Sequence, residues 1–149
     1  QIKVIGILMP KFGSTSKKRL NTCHTDLKIL FNQVIEQVDC SVLCGYRNKK
    51  DQDKAVAEGH SKAKYPNGRH NAMPSNAVDV VPYPVDWNDR ERFFYFAGMV
   101  LAMADMLYDV GQMKHKVRWG GNWRGFENGK IDFSKNTFDD LPHFELIKE

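Results

Sequence analysis

Apolar residues recur along the chain as two long helical stripes, with short β-prone runs between and after them. From Thr25 onward, Leu27, Leu30, Phe31, Val34, Ile35 and Val38 fall on one face of a helix, with Thr25 or His24 near its N-cap. Phe93, Phe96, Ala97, Val100, Leu101, Ala104 and Leu107 repeat that spacing in a longer helix, which Asn88 and Glu91 open as a capping pair and Gly111 stops. Between the two, S-V-L-C-G-Y reads as a strand leading into a loop that carries Arg47. D-Q-D-K-A-V-A-E-G is a short helix stopped by Gly59. Y-P-N-G-R-H is a turn, and A-V-D-V-V-P-Y is a strand ended by Pro82. K-V-R-W-G-G-N-W and L-P-H-F-E-L supply the remaining strands. The expected fold is one α+β domain over residues 1–149, with helices packed on a small, mostly antiparallel sheet.

At 149 residues, 42% hydrophobic and 27% charged, the chain can bury a core without a disulfide or a metal to hold it. It has no repeat, linker or single-charge run. Cys23, Cys40 and Cys44 are odd in number and form no C-x-x-C pair, so free, mostly buried thiols are expected. Phe93 to Ala104 is closed by Arg92 and Asp105 and falls short of the roughly 20 apolar residues a membrane span needs. The stretch from Gln1 to Pro10 lacks a basic start, an adequate apolar segment and a small-residue cleavage site, so a protein made without a secretion signal is expected. The net charge of +4 is scattered, with clusters only at Lys17-Lys18-Arg19 and Lys114-His115-Lys116. That is compatible with an anionic partner such as a cell envelope, while no basic motif points to nucleic acid.

One residue breaks the pattern. Asp79 sits between Val78 and Val80, where an ionised carboxylate loses hydration worth several kcal/mol unless a cation or a proton compensates it. His70 lies at the mouth of the same strand, and His143 lies on another short strand among apolar residues. Two imidazoles and a carboxylate are a usual protein set for a catalytic zinc that keeps a fourth position for water. Asp140, three residues before His143, can approach that water and take its proton. Taken singly, a strand histidine also fits a hydrogen-bonded core residue, and an aspartate beside a turn also fits a cap.

The succession G-Y-R-N-K-K-D-Q, E-G-H-S-K, R-H-N-A-M-P-S-N-A-V-D-V-V-P-Y, R-W-G-G-N-W and F-D-D-L-P-H-F-E-L is more specific than any one of its parts. From about Ser16 to Leu146 it resembles the zinc D-Ala-D-Ala carboxypeptidase and L-alanyl-D-glutamate endopeptidase family, especially its phage endolysins. The resemblance implies a hedgehog-type and D-Ala-D-Ala-peptidase-like zinc fold and a substrate in the stem peptide of bacterial peptidoglycan. It makes His70, Asp79 and His143 ligands of Zn2+ and Asp140 the general base. It matches Arg47 to the arginine that meets the substrate carboxylate or carbonyl oxygen; a surface salt bridge is the other reading of that residue.

The commoner family pattern is S-x-H-x-x-G-x-A-x-D. Here Gly68 stands for the serine, the later glycine is absent and N-A-M-P-S-N lengthens the gap. His60 is a rival ligand read as a rim residue, and His24 and His115 are read as surface or capping groups. Asp139 competes with Asp140, whose D-x-x-H spacing favours it. Glu145 shares a strand face with His143, and Trp119 and Trp123 are read as core or rim packing. The expected protein is a monomeric peptidoglycan hydrolase, held in the host cytoplasm before lysis and acting on the wall after release. L-alanyl-D-glutamate endopeptidase is favoured; D-Ala-D-Ala carboxypeptidase and a non-enzymatic zinc-binding module are the alternatives.

Overall fold

A computed structural model describes residues 8–147; most of the N-terminal stretch read for a secretion signal lies outside them. In chain order the elements are α1 (Ser14–Leu20), α2 (Thr25–Gln37), β1 (Cys40–Cys44), α3 (Lys49–Ala57), β2 (Ala77–Pro82), α4 (Arg90–Asp109), β3 (Val117–Trp119) and β4 (His143–Leu146), with a single 3-10 turn at Arg69–Asn71. The strands form one antiparallel sheet in the order β1-β2-β4-β3. The α+β architecture is therefore the one the apolar spacing predicts.

Each long helix starts where a side chain takes up an orphan backbone donor. His24 Nδ1 accepts the N–H of Asp26 at 3.0 Å at the head of α2. At α4 the cap is Asp89, whose Oδ1 accepts the N–H of Arg92 at 3.2 Å. That replaces the expected Asn88, whose backbone N–H is instead spent on Asp86 Oδ1. Asn48 caps α3 two positions earlier than the apolar pattern suggests, by accepting from Asp51 N–H. Helix α1 is absent from the hydrophobic reading because Leu20 is its one buried residue. It covers the outer edge of β1, where Ser16 Oγ accepts Val42 N–H and Arg19 Nη1 donates to Val42 C=O, both at 3.0 Å. An edge strand so occupied cannot pair with another chain at that residue.

The pleat sorts the sheet into two faces. Val42, Val78, Val80, Phe144 and Leu146 join the core with Phe31 of α2 and Phe96 and Val100 of α4. The alternate residues of the central strands, Asp79, His143 and Glu145, point the other way. No helix among the described residues is long and apolar enough to cross a membrane. Cys23, Cys40 and Cys44 are free thiols, the first two buried.

Phe144 joins the two helices to the sheet: fully buried, its ring lies 5.5 Å from that of Phe31 and 6.1 Å from that of Phe96. Phe144→Ala is expected to cost about 3–5 kcal/mol in urea unfolding, and a cost under about 1 kcal/mol contradicts this account of the core.

Candidate metal centre and cleft

The antiparallel register sets Asp79 of β2 directly opposite His143 of β4. Opposed residues share a face and their side chains meet. His70 arrives from the 3-10 turn, which is tied down on several sides. Its carbonyl accepts Arg47 N–H at 2.8 Å. Asn71 Oδ1 accepts Gly68 N–H at 2.8 Å, and Asn71 Nδ2 donates to Arg47 C=O at 2.9 Å. A Cβ at position 68 would stand 2.5 Å from Asn71 Oδ1, so with the glycine found there in place of serine Asn71 can keep its bond to the Gly68 N–H. The longer stretch before Asp79 is absorbed by Ser75, fully buried, which takes the N–H of His24 on its carbonyl and gives its own N–H to Thr22 C=O.

The result is a triangle of three ligating atoms. His70 Nε2 and His143 Nδ1 are 3.2 Å apart, and Asp79 Oδ1 lies 3.3 Å from the first and 3.2 Å from the second. The far nitrogen of each ring is committed as a donor: His70 Nδ1 to Gly45 C=O at 2.7 Å, His143 Nε2 to Glu145 Oε2 at 2.9 Å. A neutral imidazole that donates from one nitrogen has a lone pair on the other. Two lone pairs and a carboxylate oxygen therefore face one another, an arrangement stable only with a positive charge among them. Donors held about 2.0–2.1 Å from a tetrahedral ion lie roughly 3.3 Å apart, so these residues fit a zinc-sized cation.

Electrostatics point the same way. Burial opposes ionisation of Asp79, but the charge of His70 and hydrogen bonds from both imidazoles outweigh it and hold the carboxyl below its usual range. Burial also disfavours a charged His70, yet Asp79 prevails and pushes that imidazole up to about 10. His143 is raised as well, against burial, by its bonds to Asp79 and Glu145. The protein groups alone thus draw a proton to the place where a cation would sit.

Asp140 stands at the edge of this cluster, its Oδ2 3.9 Å from His143 Nδ1. Burial, and then the charge of Asp79, raise its carboxyl above the usual value, which suits a group that must accept a proton near neutral pH. Asp139 turns away to Arg90 Nη2 and Asn136 Nδ2, each at 2.5 Å. The segment carrying Asp140 is fastened by both tryptophans: Trp119 Nε1 donates to Leu141 C=O and Trp123 Nε1 to Phe138 C=O, both at 2.7 Å. Trp119 is core, and Trp123 lies half-buried with its ring 5.4 Å from that of His143. Arg47 is no surface ion pair: its Nη2 meets the second oxygen of Asp79 at 3.3 Å and its Nη1 meets buried Gln52 Oε1 at 3.2 Å.

Arg47, Asp79 and Asp140 line a cleft of about 780 Å³, with Trp87 and Phe93 along one wall. His60, three-quarters exposed, stands on its rim beside Glu58. His24 and His115 are far in role from the cleft, since with Asp26 they cap and join elements: Asp26 Oδ2 accepts His115 N–H at 2.9 Å and meets its Nδ1 at 2.8 Å. Three residues near the centre escaped the sequence reading. Cys44 lies opposite Asp79 in the register and close enough to His70 and Asp79 to share an ion with them. Gln52 and Asn71 are buried polar groups that hold Arg47 and the His70 turn. Cys44 follows from its strand register once known; Gln52 and Asn71 look in sequence like an ordinary helix and turn residue.

The family model for phage L-alanyl-D-glutamate peptidases matches residues 8–147. The chain belongs to that family. Its fold is also similar to the crystal structure of the Serratia marcescens L-Ala D-Glu endopeptidase ChiX, at 27% identity over 96% of this chain and 94% of that one, with a TM-score of 0.69. No curated protein matches the sequence.

For this peptidase, the first of the two glycines after Trp119 acquires a reason. A Cβ on Gly120 would stand 2.2 Å from the carbonyl oxygen of Asp140, and Gly120 C=O accepts the N–H of the same residue at 2.9 Å. Gly120→Ala is expected to displace Asp140 and lower peptidase activity roughly 100-fold with the far-UV CD spectrum unchanged, and activity within about twofold of the parent contradicts the placement.

Proposed function

We propose that the protein is a zinc-dependent endolysin that hydrolyses the L-alanyl–D-glutamate bond in peptidoglycan stem peptides. Membership of the family supports the bond and the substrate class. The observation that carries the metal is the triangle of His70 Nε2, His143 Nδ1 and Asp79 Oδ1, with edges of 3.2 to 3.3 Å and the far nitrogen of each ring already spent on an acceptor. In this reading those three residues hold the ion.

Zinc bound in such a set supplies a Lewis acid that polarises a carbonyl and acidifies water. The remaining work falls to the chain. Asp140 removes a proton from the attacking water and returns it to the amine that leaves, so one carboxylate serves first as base and then as acid. Arg47 fixes the second oxygen of Asp79 and lines the cleft, where an oxyanion developing on the scissile carbonyl gains most from a charge already in place. Trp87 and Phe93 give that cleft an apolar wall, against which the backbone and methyl groups of a stem peptide can lie. The enzyme reaches its substrate after release to the cell wall.

Mass analysis of digested peptidoglycan tests the bond: fragments with a new amino-terminal D-glutamate are expected, and loss of a single D-alanine with no such amine contradicts the proposal. Asp140 must be ionised to act, and its carboxyl is raised above 3.8. Activity is therefore expected to rise with pH through an acid limb lying above the ordinary aspartate value. Asp140→Asn is expected to lower kcat by about 100- to 10,000-fold and to remove that limb, and a variant keeping both parent rate and profile contradicts the role.

A further inference from the structure

His143 reaches the centre through Nδ1, whereas His70 reaches it through Nε2. Each choice is enforced from behind. For His70 the enforcing group is a backbone carbonyl, that of Gly45. For His143 it is the side chain of Glu145, two residues along β4 and on the same face, whose Oε2 accepts from Nε2 at 2.9 Å. A carboxylate can only accept, so Nε2 holds the proton whenever Nδ1 gives its lone pair to a metal.

Glu145 is itself held. It is 3% exposed, a position where a lone carboxylate is costly, and its second oxygen is taken by Arg118, its cross-strand partner on β3. Arg118 Nε donates to Oε1 at 3.0 Å and Nη2 donates to the same oxygen. Arg69 Nε stands 3.7 Å from it, and the Arg118 guanidinium lies 5.4 Å from the Trp123 ring, which itself borders His143. This carboxylate is thus locked by strand register and by two arginines, with one oxygen aimed at the imidazole.

We propose that Glu145 is a positioning residue: through its bond to Nε2 it fixes the tautomer and ring angle of His143, and so sets how tightly the centre holds its metal. The inference rests on the zinc reading above. A carboxylate behind an imidazole makes the opposite nitrogen a better electron donor, and losing such a partner typically weakens metal binding by 10- to 100-fold. Arg118 acts one step further back, by keeping Glu145 in place.

Zinc affinity, measured by competition with a chromogenic chelator, and the 15N spectrum of the zinc-loaded imidazoles test this together. In the parent, tight zinc binding that Asp79→Ala abolishes is expected, with His143 protonated at Nε2. Glu145→Ala is expected to weaken zinc binding by about 10- to 100-fold and to allow His143 a mixture of bound tautomers. Glu145→Gln keeps the shape and one acceptor oxygen, guards against a folding failure, and is expected to fall between the two. If the parent binds zinc and both variants bind it as tightly with the same His143 signal, the positioning role is wrong and the zinc reading stands. A parent that takes up no zinc through Asp79 overturns both.

Discussion

Everything at this centre depends on the pairing of β2 with β4 in one register. Because Asp79 lies opposite His143, the same alternation that sends Val78, Val80 and Phe144 into the core sends a carboxylate and an imidazole to the other side. A slip of one residue would exchange the two sets, burying Asp79 against Phe31 and Phe96 and turning valines toward the cleft. Hydrophobic burial on one face therefore holds the polar face in its geometry. The chemistry is built on the rigid part of the molecule, and the two loops that bring His70 and Asp140 need only close on it.

Those loops are tied down by backbone bonds as well as by the side chains of Asn71, Trp119 and Trp123. Arg47 N–H bonds the carbonyl of His70, Gly120 exchanges bonds with Asp140 and His143, and the glycines at 45, 68 and 120 leave room for approaches that a Cβ would block. The partners behind the ligands continue the same logic. Gly45 C=O stands behind His70, Glu145 behind His143 and Arg47 behind Asp79, so each of the three is gripped on the side away from the others. This preorganisation explains how two lone pairs and a carboxylate are kept within 3.3 Å of one another despite their mutual repulsion.

Much of this is legible in the sequence. Two helices were readable because their apolar faces, Leu27 to Val34 and Phe93 to Leu107, repeat for several turns. Asp79 was readable as an anomaly in a β-prone run, although the apolar neighbours that made it look buried face the opposite side of the sheet. Helix α1 was not readable, since its exposed Lys17, Lys18 and Arg19 leave no periodic face and its stability comes from contacts with β1. Asn88 and Asp89 are both good caps, and only the path of the chain decides between them. Gly120, Gln52 and Asn71 have no local signature at all; their roles arise from segments remote in sequence. The spacing to His143 already favours Asp140 over Asp139, and what it cannot supply is the partner Arg90, which holds Asp139.

The chemistry of the cleft depends on where an ion binds. Crystals of the zinc-loaded protein, with anomalous density recorded at the zinc edge, test this most directly. The expected result is one peak about 2.0–2.2 Å from His70 Nε2, His143 Nδ1 and a carboxylate oxygen of Asp79, on the cleft side toward Asp140. Density only at His24, Asp26 and His115, or none at the triangle, would contradict it.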